Sequence, residues 1–430
     1  MQGYFANRSV AERCHILKML EAQAKTEHYS YHTPGHKRQG YDITELGYSD
    51  NLSCPRRVIL SAQQDIAEIL GADASYLLTD GSTAGVLSML YALKSLGCRL
   101  VAAFTASHKS FFSGCLLTGL QPVLLETPTG ENGLPRKIGV GDVLEGVESA
   151  DALFLTSPDY YGNVADLKAI QAACKQRGKY LVVDGAHGGH LHYNRALYAG
   201  AYADMWVDGV HKSLPALTQG AVVSAQKPCV EALGAAVDIF RTTSPSYPIM
   251  ASVEYAVKYP QNAWLEGFVQ GLKKEKPYLY EGEDYTKLCA FAVDGFALEQ
   301  AAIAEGIYPE FAEDHLVCFY LSPAQEREDV DRLVAFLERA NEKGLLLAEK
   351  DVHSSPAPVE ICKTEGCATE KIPLLEAEGR VAASICGLFP PCLPLIRKGE
   401  RITKEKIEAL QKAQNVFGVE NGKILVHKDL

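Results

Sequence analysis

The chain lacks the features that would place it in several large classes. It has no stretch of about 18 consecutive apolar residues, so no membrane-spanning helix is expected. Its first 30 residues carry Arg8, Glu12, Arg13, Lys18, Glu21 and Lys25, which break up the apolar core that a signal peptide needs. Basic charge is in deficit. The 430 residues hold 42 Lys+Arg against 53 Asp+Glu, a formal charge of −11, which argues against a general binder of nucleic acid or anionic membrane. No internal repeat and no low-complexity tract occurs. The 12 cysteines include no C-x-x-C pair; the nearest pairs, Cys362/Cys367 and Cys386/Cys392, fit no common zinc module. Reduced, mostly buried thiols in a soluble cytoplasmic protein are expected.

Length beyond a single core predicts at least two domains. Val10–Ala24 has near-helical apolar spacing, and Tyr29–Pro55 reads as loop. From Ser61 onward, short apolar runs alternate with helical stretches. The runs are Ser75–Leu78, Arg99–Phe104, Pro122–Leu125, Asp151–Thr156, Lys179–Val183, Asp204–Val207 and Ala221–Ser224. The helices are Thr83–Leu96, Lys109–Gly119 and Asp166–Arg177. This alternation predicts βαβ units, hence an α/β fold with a mainly parallel sheet covered by helices. Beyond Tyr247 it weakens, and Lys273–Asp284 suits a connection. Strands at His315–Leu321 and Arg380–Ile385, with helices at Glu326–Ala340 and Thr403–Val416, predict a smaller α+β domain. The divisions are 1–55 (helix and loop segment), 56–272 (large domain) and 273–430 (C-terminal domain).

Ligands of open α/β sheets bind beyond the carboxyl ends of strands, so the residues following each strand are the candidates. TDGSTAG at 79–85 runs into a helix that Ser82 or Thr83 would cap, a site for phosphate that equally reads as a plain capped turn. His108 follows the second strand. Asp184, His187, His190 and His192 follow the fifth, and His211 and Lys212 the sixth. Asp184 and its histidines could hold a metal, but H-x-x-H-x-H matches no helical zinc pattern, and no metal site is assigned. A phosphate cradle, a stacking His, an acid and a Lys beside a His are together what pyridoxal 5′-phosphate requires.

With HTPGHK at 32–37, SHKS at 107–110, TSPDYYGNV at 156–164, VDGAHGGH at 183–190, HKSLPALTQGA at 211–221, TSPSYPIMAS at 243–252 and FPPCLPLIRKGERIT at 389–403, the sequence resembles the ornithine/lysine/arginine decarboxylase family. Those are pyridoxal-phosphate enzymes of the aspartate-aminotransferase fold (fold type I). The resemblance spans nearly the whole chain. It implies that Lys212 is the Schiff-base lysine, that Asp184 partners the pyridine nitrogen, and that His108 stacks on the ring and, like Lys212, could return a proton to the α-carbon. It also implies that Gly81, Ser82, Thr83 and His211 hold the phosphate, with Ala186 and His187 close to the ring. Ser244 and its neighbours to Tyr247 would reach the partner's cofactor in a homodimer or larger homo-oligomer. The implied reaction is decarboxylation of arginine, lysine or ornithine to the amine.

The sequence departs from the family at Gly209 (usually Ser), Gly185 (usually Glu), Asp159 (usually Thr or Asn) and Cys392 (usually Gly). An aminotransferase or β-eliminating lyase would use the same Lys212 and Asp184, with Arg380 or Arg397 on the α-carboxylate. A non-catalytic cofactor-binding homologue is a third reading.

Overall fold

A computed structural model describes residues 3–38, 40–352, 360, 362, 367–388, 394–413 and 415–428. Seven strands form the central sheet: β1 (Ala74–Leu78), β2 (Leu100–Phe104), β3 (Gln121–Leu125), β4 (Ala152–Thr156), β5 (Tyr180–Gly185), β6 (Met205–Asp208) and β7 (Ala221–Ala225), in the spatial order β1-β7-β6-β5-β4-β2-β3. Strands β2 to β6 pair in parallel, while β7 runs antiparallel to both β6 and β1. Each strand lies within two residues of its expected bounds; the inner strands β4 to β7, buried on both faces, are written as nearly unbroken apolar runs.

Alternation within the strands separates two cores. Leu153, Leu155, Val183, Trp206 and Val222 face one way, packed with the N-terminal helices and the helix Tyr247–Val257. Phe154, Val182, Val207 and Val223 face the other, against the helices Gly81–Ser95, Lys109–Thr118 and Val230–Phe240. Asp184, two residues after Val182, belongs to the second face. There the helix Gly81–Ser95 comes very close to the sheet: a Cβ added to Gly85 would lie 2.5 Å from Val207 Cγ2.

The helix expected at Val10–Ala24 is two helices, Arg8–Ala11 and His15–Ala24. The Glu254 carboxylate accepts from the backbone N–H groups of His15 and Ile16 at 2.6 and 2.9 Å. It caps a new helix start from more than 200 residues away, a contact no local pattern announces. Phe5, Leu17, Leu20 and Leu52 join the main core, so segment 1–55 packs as part of the large body.

The boundary expected at 272/273 falls inside the helix Ala263–Glu275. Leu265, Val269 and Leu272 pack with a second sheet of β8 (Lys287–Phe291), β9 (Phe311–Glu313) and β10 (Leu316–Tyr320), ordered β8-β10-β9. Farther along, residues from Leu374 to Val426 form a separate small core around short antiparallel strands. Arg380–Ile385 is not a strand. Val381 and Ala382 make single bridges to Arg401 and Val426, and regular pairing starts only at Cys386–Leu388, in another sheet. The segment crosses between two sheets and pairs fully with neither. The final helix is Lys404–Lys412. Among the described residues, no helix is long and apolar enough to cross a membrane.

Candidate active site

The carboxyl ends of β2, β4, β5 and β6 bring the candidate residues together. Lys212 sits in the short helix Val210–Ser213 that follows β6. Its Nζ lies 3.1 Å from His187 Nε2 and 5.9 Å from the centre of the Tyr160 ring. Asp184 is buried at the end of β5, and its Oδ1 accepts from the Ala186 N–H at 3.1 Å. Burial pushes the Asp184 carboxyl up, opposed by the nearby Lys212 and by that N–H. A buried carboxylate with so few donors calls for a cationic partner.

His187 is enclosed. Its ring centre is 4.6 Å from that of Tyr160 and 5.7 Å from that of Tyr320, and Nδ1 is buried without a hydrogen-bond partner. Burial, then the charges of Lys212 and Lys287, hold its pKa well below the ordinary histidine value. His108 caps the helix Lys109–Thr118: Nδ1 accepts from the Ser110 N–H at 3.2 Å and meets Ser110 Oγ at 2.8 Å. Burial first, then Lys212 and Lys109, lower it to about 4. Near neutral pH it is an uncharged flat ring, suited to stacking.

Ser82 and Thr83 lie in the first turn of Gly81–Ser95 rather than at its cap, which is Asp80, and Asp80 makes no side-chain capping bond. The Gly81 N–H is taken by the Gln219 carbonyl at 2.9 Å, so Gly81 shapes the turn, and any phosphate contact falls to its neighbours. His211 Nδ1 is 3.1 Å from the Gly220 carbonyl, leaving Nε2 for a ligand. The three histidines after Asp184 diverge: His190 Nε2 meets Asp284 Oδ1 at 2.8 Å and His192 Nδ1 meets the Gly189 carbonyl at 2.7 Å, which separates them from His187.

Ser244 is exposed, its N–H bonded to Thr242 Oγ1 at 3.1 Å, while the Thr242 N–H reaches Asp80 Oδ2 at 3.4 Å. Tyr247, by contrast, is fully buried and its hydroxyl donates to the Asp50 carbonyl. It anchors the loop that precedes the helix Val58–Leu70.

The departures from the family pattern now have shapes. A Cβ on Gly209 would lie 2.4 Å from the Ala186 carbonyl oxygen, so a serine does not fit on this backbone. A Cβ on Gly185 would meet the Val207 carbonyl at 3.0 Å and Asp208 Oδ1 at 3.4 Å. Asp208, which accepts from Tyr198 Oη and Trp206 Nε1, fills the space beside Gly185. Asp159 is not free to select a substrate. Its Oδ1 accepts from the N–H groups of Tyr161, Gly162 and Asn163, and its Oδ2 from Asn163 Nδ2 at 2.7 Å. Cys392 lies outside the described residues.

Neither arginine offered as a carboxylate clamp stands open. Arg380 pairs with Glu370 and Arg397 with Glu126, both through 2.8–2.9 Å contacts. Tyr160, Tyr320 and Lys287 were not among the candidates. Tyr160 lay in a quoted motif, but Tyr320 and Lys287 sit in strand-like runs that look like ordinary core.

The residues fit pyridoxal 5′-phosphate. An amine, a buried acid, an uncharged flat ring and a helix N-terminus with no side-chain cap face the same end of one sheet, and the buried His187 Nδ1 is still unpartnered.

Known proteins resemble this chain over most of its length. The family model described as Orn/Lys/Arg decarboxylase, major domain, matches residues 39–276. The uncharacterized protein YaaO of Bacillus subtilis is 28% identical over 92% of this chain and 93% of its own length. The arginine decarboxylase of the same organism is 25% identical over 91% and 92%. The structure of the Escherichia coli constitutive lysine decarboxylase superposes with a TM-score of 0.71 at 18% identity, over 96% of this chain and 82% of that one. With a family model matched across more than half its length, the chain belongs to the ornithine/lysine/arginine decarboxylase family.

Proposed function

We propose that the protein is a pyridoxal 5′-phosphate-dependent decarboxylase that converts arginine, lysine or ornithine to the corresponding amine and carbon dioxide. The observation that carries this reading is Lys212 Nζ set 3.1 Å from the uncharged His187, beside the buried Asp184. When bound, the cofactor supplies an aldehyde and an electron-withdrawing ring. Everything else is work for the chain. Lys212 provides the amine, and the His187 Nε2 lone pair accepts a hydrogen bond from it. Asp184 holds a proton on the ring nitrogen, because a buried carboxylate is stabilised by the cation facing it. His108 would cover a ring face, and either His108 or Lys212 would return a proton to the α-carbon. Ser82, Thr83 and His211 hold the phosphate.

The existing pairs of Arg380 and Arg397 favour this reading over transamination, which needs a cation free for the α-carboxylate. The functional unit in this reading is a homodimer or larger homo-oligomer in the cytoplasm, with the exposed Thr243 and Ser244 offered to a neighbour's phosphate. Sedimentation of fully active protein as a monomer would overturn the dimer. The test of function is incubation of the cofactor-loaded protein with each of the three amino acids. Carbon dioxide and amine in equal amounts from one of them are expected; a keto acid, or no product from any, would overturn the reading.

A further inference from the structure

A second group of charges lies behind the active-site histidine and has no place in the mechanism above. Lys287 and Asp284 are fully buried at the start of β8, with Lys287 Nζ 3.4 Å from Asp284 Oδ2 and 2.9 Å from Thr286 Oγ1. Asp284 Oδ1 is already shared by His190 Nε2 and by the N–H and hydroxyl of Thr286. A second buried ammonium, Lys273, bonds only to carbonyls, those of Gly282 and Asp284, at 2.9 and 2.8 Å. Two ammoniums thus share one carboxylate, and positive charge is left over. Lys287 directs it at the active site: Nζ stands 4.3 Å over the Tyr320 ring, whose centre is 5.7 Å from that of His187.

We propose that Lys287 is a positioning residue: a fixed buried positive charge that keeps His187 an uncharged acceptor toward Lys212. The proposal rests on the cofactor reading, since Lys212 has to lose a proton before it can bond to an aldehyde. A protonated His187 would instead place two cations 3.1 Å apart. The groups facing His187 are Lys212, Tyr160 and Tyr320 directly, with His108, Lys287 and Asp284 acting through space. Burial and neighbouring acids keep the Tyr320 hydroxyl protonated far above neutrality, so it brings no charge of its own. Lys212 also opposes a charge on His187, but its amine is the reacting group, whereas Lys287 takes no part in the chemistry. Seen across one shared ring, Lys287 and His187 are at most about 10 Å apart. At that separation a unit charge in an effective dielectric of about 20 moves a titration by about one pH unit.

The test is a histidine NMR titration of the full chain without cofactor, with the His187 signal assigned by its loss in His187→Gln. In Lys287→Met, His187 should titrate about one pH unit higher than in the parent protein. Lys287→Gln, which can keep a hydrogen bond to Asp284, repeats the measurement should the methionine variant not fold. Lys273→Met, which removes another buried ammonium, one bonded to the Gly282 and Asp284 carbonyls, should leave His187 in place. The acid limit of cofactor uptake, followed by absorbance, should rise with the His187 titration in the Lys287 variants. An unmoved His187 in a folded Lys287 variant would overturn the proposal, as would an equal shift in Lys273→Met. Because the titration needs no substrate, it stands or falls separately from decarboxylation.

Discussion

Two clusters of charge in the large body, around Glu254 and around Lys212, use the same residue types to opposite effect. Around Glu254, every charged group is answered. Glu254 accepts from two backbone N–H groups and from Lys258, and Lys258 Nζ also bonds to Asp65 at 2.6 Å and to the Arg13 carbonyl at 2.9 Å. Around Lys212, the accounts are open: Asp184 holds one backbone N–H, and His187 Nδ1 holds nothing. The contrast teaches how to read a buried charge. A fully satisfied cluster ties the N-terminal helix to the body. An incompletely satisfied one retains a desolvation cost that a ligand can relieve.

Substitution of one residue in each cluster separates the two roles. Lys212→Ala should abolish turnover, by roughly four decades or more, and end trapping of the cofactor by borohydride, while the melting temperature hardly changes. A peptide map with the reduced cofactor on another lysine would refute its role. Glu254→Ala should do the reverse. Loss of the helix cap and of the buried partner of Lys258 should cost about 3–5 kcal/mol of stability, read by denaturant unfolding, with cofactor affinity of the folded fraction unchanged. Asp184→Asn should keep both fold and bound cofactor yet lower turnover by about two to three decades, about 3–4 kcal/mol. Near-normal rates would show that this carboxylate is not the ring's partner.

The clusters should also part on acidification. Burial works to raise Asp65, the partner of Lys258 in the first cluster, but the hydrogen bonds and charges of Lys258 and His15 together hold it below the ordinary carboxylate range. Its stabilisation is present above the unfolded carboxylate value of about 3.9 and is lost only at lower pH. His192, in the loop after Asp184, is lowered to about 4, chiefly by burial. Its unfolded form takes up a proton near pH 6.5, so stability falls as pH drops from about 6.5 to 4, by up to about 1.4 kcal/mol per unit. Unfolding free energies measured across that window should fall less steeply in His192→Asn. An unchanged slope would place the acid sensitivity elsewhere.

Much of the fold was legible because the central strands are buried on both sides and their apolar runs are short and interrupted. The candidate site was legible because its residues follow those strands directly: Asp184, His108, His211 and Lys212 each stand within a few residues of a strand end. Its remaining parts were not. Tyr320 and Lys287 enter from a separate sheet, on strands whose composition is that of ordinary core. Asp159 closes its own loop through N–H groups of Tyr161, Gly162 and Asn163, a use of a carboxylate that its place in the motif does not announce.

What the sequence determined by itself is therefore the order of elements and the chemistry at the end of each strand, since both depend on residues near one another in the chain. The tertiary structure alone decided which charges are answered. Glu254 divides a helix that begins at residue 8, Gly209 is demanded by the carbonyl of Ala186, and His187 feels an ammonium 100 residues downstream. Desolvation and charge act through space, and neither follows the chain.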